Sequence, residues 1–147
     1  MDINNIKFAI LGAAGLLGGF LCDILGGWDT MLGVLLAFML CDYLTGLVVA
    51  MVFHNSPKTK TGRAESNAGL KGVFRKLAIL VAVGMAHLLD TAMGVEALRG
   101  VAICFFLANE GLSIVENIGL MGVPMPGVIK DALEVLKTKS EESGAQK

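Results

Sequence analysis

Residues that build catalytic and metal sites are scarce in this sequence. It has two histidines, and its three cysteines, Cys22, Cys41 and Cys104, lie inside apolar runs without CxxC spacing. A free cysteine in such a run behaves as a small hydrophobic residue, and this spacing predicts neither a disulfide framework nor a metal site. The sequence contains no glycine-rich phosphate loop, HExxH motif or GxSxG motif. We therefore expect no enzyme activity, metal or cofactor.

Charge is also scarce. Charged residues make up 17% of the chain and the net charge is −1, so no bulk positive field favours nucleic acid as a partner. Hydrophobic residues reach 54% and the mean hydropathy is +0.69. An average soluble domain has about 45–50% apolar residues even when glycine is counted. The composition predicts an all-α polytopic membrane protein.

Four apolar segments are long enough to cross a bilayer as helices. They cover about residues 6–25, 31–53, 74–93 and 99–121. Pro124 and Pro126 end the last span because proline breaks the helical hydrogen-bond ladder. Residues 128–138 then have the pattern of a short amphipathic helix. We expect a four-helix transmembrane domain at residues 1–126 and a cytoplasmic amphipathic helix with a charged tail at residues 127–147.

The fourth span is apolar in its first half and polar along one side of its second half. At about 100° per residue, five polar side chains project into one sector: Asn109, Glu110, Ser113, Glu116 and Asn117. A carboxylate at the bilayer centre costs about 2.5–3.5 kcal/mol on insertion scales, so this stripe needs protein partners or water. It predicts either a pore lining or an interface between copies. Asp42, near the middle of the second span, is either functional or a structural acid bonded to a neighbouring helix.

Small residues recur at helical spacing in three spans. They allow helix backbones to approach closely, within one chain or between copies. These predicted packing residues are Ala14, Gly15, Gly18 and Gly19 in the first span, Gly46 and Ala50 in the second, and Ala78, Ala82 and Ala86 in the third. Near the end of the third span lie His87 and Asp90, for which capping or packing is a better interpretation than catalysis.

The distribution of basic residues predicts the orientation. Four spans place eleven of the twelve lysines and arginines on one side and only Arg99 on the other. The positive-inside rule makes the basic side cytoplasmic, together with both termini. Lys71, Arg75 and Lys76 form a basic collar at the start of the third span, where they are expected to reach anionic lipid headgroups. A three-span alternative, with one segment lying on the surface, separates these basic clusters.

Four stretches together resemble the toxin-secretion/phage-lysis holin family. The resemblance covers about residues 32–136. It is carried by Cys41–Gly46 (CDYLTG), Ser66–Gly72 (SNAGLKG) followed by Arg75 and Lys76, Asn109–Asn117 (NEGLSIVEN) and Gly122–Pro126 (GVPMP).

The resemblance implies a phage or prophage protein without catalytic activity or cofactor. It implies accumulation in the bacterial cytoplasmic membrane, homo-oligomerisation, and lesions large enough for an endolysin or a large toxin to pass, without necessary direct contact with that endolysin. Two alternatives follow from the residues alone. The acids could form the selectivity ring of a small ion or solute channel, or the polar stripe could dock a partner helix in a non-conducting scaffold.

Overall fold

The computed structural model describes residues 3–145, which form helices and connecting turns with no strand. The helices are α1 (Ile3–Ile24), α2 (Thr30–Val48), α3 (Ser66–Met93), α4 (Leu98–Leu120) and α5 (Gly127–Ala145). A π-helical turn, Val49–Phe53, continues α2. Four helices are long and apolar enough to cross a membrane: α1, α2 with its π-helical turn, α3 and α4. The all-α prediction with four spanning helices is confirmed, and it is favoured over the three-span alternative.

The hydrophobic core lies between α2, α3 and α4. It is built by Leu35 and Met39 of α2, Ile79 and Val83 of α3, and Ile103 of α4, all less than 8% exposed. In the two helices that contribute a pair, the residues are four positions apart, which places them on one face. Because α4 also contacts α5, it is the central helix of the molecule.

The third helix begins at Ser66, before the apolar segment predicted from residue 74, and packs through a different face from the predicted one. Glu65 occupies its N-cap in an extended conformation without a side-chain hydrogen bond. Ile79 and Val83 point inward, and each of them directly follows one of the predicted packing alanines. Of these alanines, Ala78 is exposed while Ala82 and Ala86 are half-buried. The larger apolar neighbours therefore make the contact because they bury more surface.

Helix α1 stands apart from the other helices. None of its residues is buried, and its contact within the chain is with α3 near its C-terminal end. There, a Cβ placed on Gly84 would lie 3.3 Å from Ile24. Around Gly15, Gly18 and Gly19 the space is open, and Ala14 is exposed. The small face of α1 thus packs against no other helix of the same chain among residues 3–145.

Helix α5 extends further than the predicted 128–138 and packs against α4. Its exposed residues include Lys130, Asp131 and Glu134. Charged side chains on this face require water, since hydrocarbon cannot solvate them. Residues 146 and 147 of the predicted cytoplasmic segment lie outside the described part of the chain, and the division at residue 126 stays a prediction.

Arg99 and Asp90 join the helix ends on the side opposite the basic collar. The Arg99 guanidinium donates hydrogen bonds to the Leu25 and Gly27 carbonyl oxygens and to the Asp29 carboxylate. The Asp90 carboxylate accepts from the backbone amides that open α4, at 3.2 Å from Ala97, 2.9 Å from Leu98 and 2.8 Å from Arg99. Such acceptors satisfy the unpaired amides of a helix start. Of the two roles predicted for Asp90, capping or packing, the structure shows capping.

Candidate functional site: an ion triad between three helices

Three charged side chains from three helices meet in the centre of the bundle. The Lys76 ammonium group of α3 donates a hydrogen bond to Asp42 Oδ2 of α2 at 2.8 Å and another to Glu110 Oε2 of α4. The side chains of Lys76, Asp42 and Glu110 are only 14%, 11% and 6% exposed. We call these three residues the ion triad. One cation faces two carboxylates, so the triad carries one net negative charge if all three are ionised.

Asn117 and Thr45 complete the hydrogen bonding of the ion triad. The Asn117 side-chain amide donates to Asp42 Oδ1 at 3.1 Å, to the Asp42 carbonyl oxygen at 3.3 Å and to Thr45 Oγ1 at 3.0 Å. Asn117 lies two helical turns after Glu110, so both point to the same side of α4. No buried side-chain nitrogen or oxygen lacks a partner in the described part of the chain.

The ion triad lies deep in the span of the helices. At 1.5 Å per residue, Asp42 and Glu110 are each about 18 Å from the start of their helices, and a bilayer hydrocarbon core is about 30 Å thick. At such depth opposite charges attract strongly because little water screens them. Their removal from water is costly as well, so a buried triad is weak evidence for net stability. Separation of the helices in lipid would, however, leave buried charges without partners. The triad therefore disfavours arrangements in which α2, α3 and α4 are apart.

The predicted polar stripe of α4 is divided by the structure. Glu110 and Asn117 are buried against α2 and α3, whereas Asn109 and Ser113 are half-buried and Glu116 is exposed. The stripe is therefore not a single face turned to one environment. Two of its members are satisfied inside one chain, and Glu116 is the member left exposed.

Asp42 is held by a neighbouring helix, which is the structural alternative that the sequence left open for this acid. Gly46, one turn further, allows α4 to approach: a Cβ at this position would lie 3.6 Å from Asn117 Nδ2. Ala50 is 7% exposed. The predicted small pair of α2 thus lies on the buried side of the helix.

Lys76 differs from its expected position at the membrane surface. The sequence predicts one basic collar of Lys71, Arg75 and Lys76, but whereas Lys71 and Arg75 are exposed, the Lys76 side chain points into the bundle. Sequence reasoning missed this contact and the contribution of Thr45. The sequence did contain a signal for the contact. Acids on two of the spans require a cation as partner, and Lys76 is the basic residue placed furthest into the third apolar segment.

No metal centre accompanies the ion triad. Within residues 3–145, no group of three or more histidine, cysteine, aspartate or glutamate side chains is close enough to hold a metal ion. The three cysteines of this region are free. The arrangement suits charge-dependent association of helices.

Comparison with known proteins places most of the chain in one family. The sequence model of the bacteriophage holin family matches residues 19–138. The chain is 37% identical to an uncharacterized 14.9 kDa protein in the nagH 3′ region of Clostridium perfringens, over 93% of this chain and 96% of that protein. It is 37% identical to an uncharacterized protein of Halalkalibacterium halodurans, over 85% and 91% of the two chains.

A relative with a functional name comes from a virus. A protein of Bacillus phage phi105 named probable holin is 31% identical, with 76% of this chain and 77% of the phage protein aligned. No solved structure matches the chain.

Proposed function

The chain belongs to the bacteriophage holin family, and from this membership we propose that it is a phage or prophage holin acting in the bacterial cytoplasmic membrane. Copies of the protein accumulate there, associate and open lesions through which a folded endolysin, or a large toxin, leaves the cytoplasm. The observation that carries the proposal is the family match over residues 19–138 of a chain with four potential membrane spans. The name of the phage phi105 relative supports it.

The charges of the ion triad can be satisfied in two arrangements of the helices, closed and separated. In the closed bundle, Lys76 and Asn117 satisfy the carboxylates of Asp42 and Glu110. Separation of α4 from α2 and α3 exposes these charges, which lipid cannot solvate but water can. In a single molecule, the separated faces of these helices would meet lipid. In a ring of copies around an aqueous lumen they meet water, so opening is favoured only after association.

The exposed helix α1 supports association between copies. Its small residues, Ala14, Gly15, Gly18 and Gly19, face no other helix within the described residues 3–145. In lipid, helices associate mainly through close packing of such faces and through polar contacts. We assign α1 to the contact between neighbouring copies.

The lysis function is tested by inducible expression in a bacterium that also makes a muralytic enzyme without an export signal. We expect abrupt lysis that requires both proteins. A pore that passes only ions would leave the enzyme in the cytoplasm, and a scaffold would cause no leak when expressed alone. Either of those results would contradict the proposal.

Two acid substitutions test the role of the polar stripe in opening. Replacing Glu110 and Glu116 together with leucine is expected to stall lesion formation while leaving membrane insertion intact. Single substitutions separate the buried contact of Glu110 from the exposed position of Glu116. Lysis that starts at the wild-type time in the double variant would exclude a role for these acids.

A further inference from the structure

A cavity of about 290 Å³ lies between α2 and the first turns of α3. The loop 54–65 that joins these helices forms part of its wall. Asp42 and Lys76 of the ion triad lie on its inner side, while Lys58, Lys71 and Arg75 line the rest of it. The cavity therefore connects the membrane surface at the basic collar with the charged centre of the bundle.

The cavity has an excess of uncompensated positive charge. Lys58, Lys71 and Arg75 are exposed, and in the described part of the chain none of their side chains has an ion pair or hydrogen bond. Lys76 is occupied by two carboxylates, and the remaining acid of the lining, Glu65, accepts a hydrogen bond from Thr61 at 3.0 Å. The lining carries four cations and two acids, and with Glu110 of the ion triad the local net charge is +1, so Lys58, Lys71 and Arg75 together match an anion with several acceptor oxygens.

The polar groups of this cavity are positioned by the local structure. Ser56 is 8% exposed, and its hydroxyl oxygen accepts from the backbone amide of Lys58 at 3.3 Å. Tyr43 lies against the glycines of α3: a Cβ on Gly69 would be 3.6 Å from the Tyr43 hydroxyl, and a Cβ on Gly72 would be 3.6 Å from its ring. The absence of side chains at these two positions leaves room beside the Tyr43 hydroxyl, which is a hydrogen-bond donor.

The rest of the lining is apolar. Leu47 and Ala50 of α2 and Ala68 of α3 line the cavity beside the cations. A small hydrated anion gains nothing from such a wall. A molecule with a negatively charged head and an apolar body fits both parts, and membrane lipids with a phosphodiester and a net negative charge have this form.

We propose that the cavity between α2, α3 and the loop 54–65 binds the headgroup of an anionic phospholipid. Lys58, Lys71 and Arg75 contact the phosphodiester oxygens, the Tyr43 hydroxyl donates to the same group, and the apolar wall receives the glycerol end of the acyl chains. The site requires only that α2 and α3 span the membrane. It does not depend on lesion formation, so failure of one proposal leaves the other standing.

The test is native mass spectrometry of the purified full chain in detergent, titrated with phosphatidylglycerol or phosphatidylcholine. We expect phosphatidylglycerol to bind more tightly, and the double variant Lys71→Gln/Arg75→Gln to lose about thirty-fold in affinity for it, the effect of removing two interfacial cations. The matched control is Lys130→Gln/Lys139→Gln, which removes two exposed cations of α5. This control should bind like the wild type.

A third variant tests the shape of the cavity with every charge retained. Gly72→Leu places a side chain beside the Tyr43 ring and should weaken phosphatidylglycerol binding while the circular dichroism spectrum stays helical. Equal binding of the two lipids by the wild type, or equal losses in the two double variants, would overturn the site. Full competition by millimolar inorganic phosphate would overturn the lipid as its ligand.

Discussion

Lys76 places one ammonium group between two carboxylates from two other helices. Mutations of the three residues are therefore expected to have unequal effects on stability. Loss of one acid leaves a matched pair, whereas loss of the lysine leaves two like charges adjacent and unpaired. In a buried environment, an unpaired charge costs far more than the net gain from the pair that preceded it.

Replacement of Lys76 by methionine is therefore expected to destabilise the bundle by about 3–5 kcal/mol. The measurement is thermal unfolding in detergent, followed by circular dichroism. The triple variant Asp42→Asn/Lys76→Met/Glu110→Gln removes all three charges and should recover most of the loss. If the single and triple variants unfold at the same temperature, the unpaired carboxylates are not the cause.

Asp29 lies outside the spanning segments, and its carboxyl group makes the stability of the fold depend on pH. The hydrogen bond from Arg99, aided by the Leu32 amide, lowers the pKa of the Asp29 carboxyl below its usual value of 3.8. A lowered pKa means that the folded state binds the proton less tightly than the unfolded chain. The contribution to stability is then present above about pH 4 and is lost as the pH falls through the lowered pKa.

The expected result is a thermal midpoint that drops below about pH 4 by more in the wild type than in Asp29→Asn. The effect is small, about 1 kcal/mol or less, because the Asp29 side chain is 43% exposed and screened by solvent. Asp23→Asn, at an exposed acid near the end of α1, is the matched control. Identical acid profiles for the wild type and Asp29→Asn would contradict the assignment.

Helices α4 and α1 differ in how far each is packed into the bundle. Helix α4 contacts α2, α3 and α5 and contributes buried residues along its length, including Ile103, Glu110 and Asn117. Helix α1 touches the bundle near one end and buries nothing. An isolated spanning helix is stable in lipid because its backbone hydrogen bonds are internal, so α1 needs no support from the bundle and is free to contact another copy.

Enlarging the small face of α1 should weaken association without unfolding the chain. Gly15→Leu has open space around it and is expected to leave the thermal midpoint unchanged while lowering the yield of cross-linked oligomers in membranes. The control is Ala13→Leu, a similar increase in size on the opposite side of α1. Equal oligomer yields from both variants and the wild type would exclude this face as the contact.

In the whole molecule, the connecting loops lie at two opposite ends of the helix bundle. The loop 54–65 carries Lys58, Lys60 and Arg63, whereas the turns 25–29 and 94–97 meet at Arg99 and its partners on the other side. The positive-inside rule therefore predicts that the loop 54–65 is cytoplasmic.

Single cysteines report this orientation when a membrane-impermeant thiol reagent is added to intact spheroplasts before lesions form. Glu96→Cys should react, and Thr61→Cys should react only after the membrane is opened. Both positions are exposed, and the native cysteines lie within the spanning helices. Reaction of Thr61→Cys in intact spheroplasts would reverse the assigned orientation.

The sequence by itself determined the number of spanning helices and their approximate limits. Span length and apolar character depend on composition along the chain, and a helix satisfies its backbone without help from its neighbours. The sequence also indicated that Asp42 and Glu110 need partners, since an unpaired acid is not tolerated in hydrocarbon. For Asp90 it favoured capping or packing over catalysis, and the amides that this carboxylate caps lie within ten residues of it.

Only the tertiary structure decided which groups are the partners. The contacts of Lys76 with Asp42 and Glu110 each join residues 34 positions apart, and they depend on how each helix is rotated about its own axis. That rotation is set by side-chain packing in the core, where Ile79 and Val83, rather than the alanines beside them, face inward. The same rotation turned Lys76 away from the membrane surface and divided the polar stripe of α4. Hydropathy along a chain does not fix such angles, because each depends on the surfaces of the other helices.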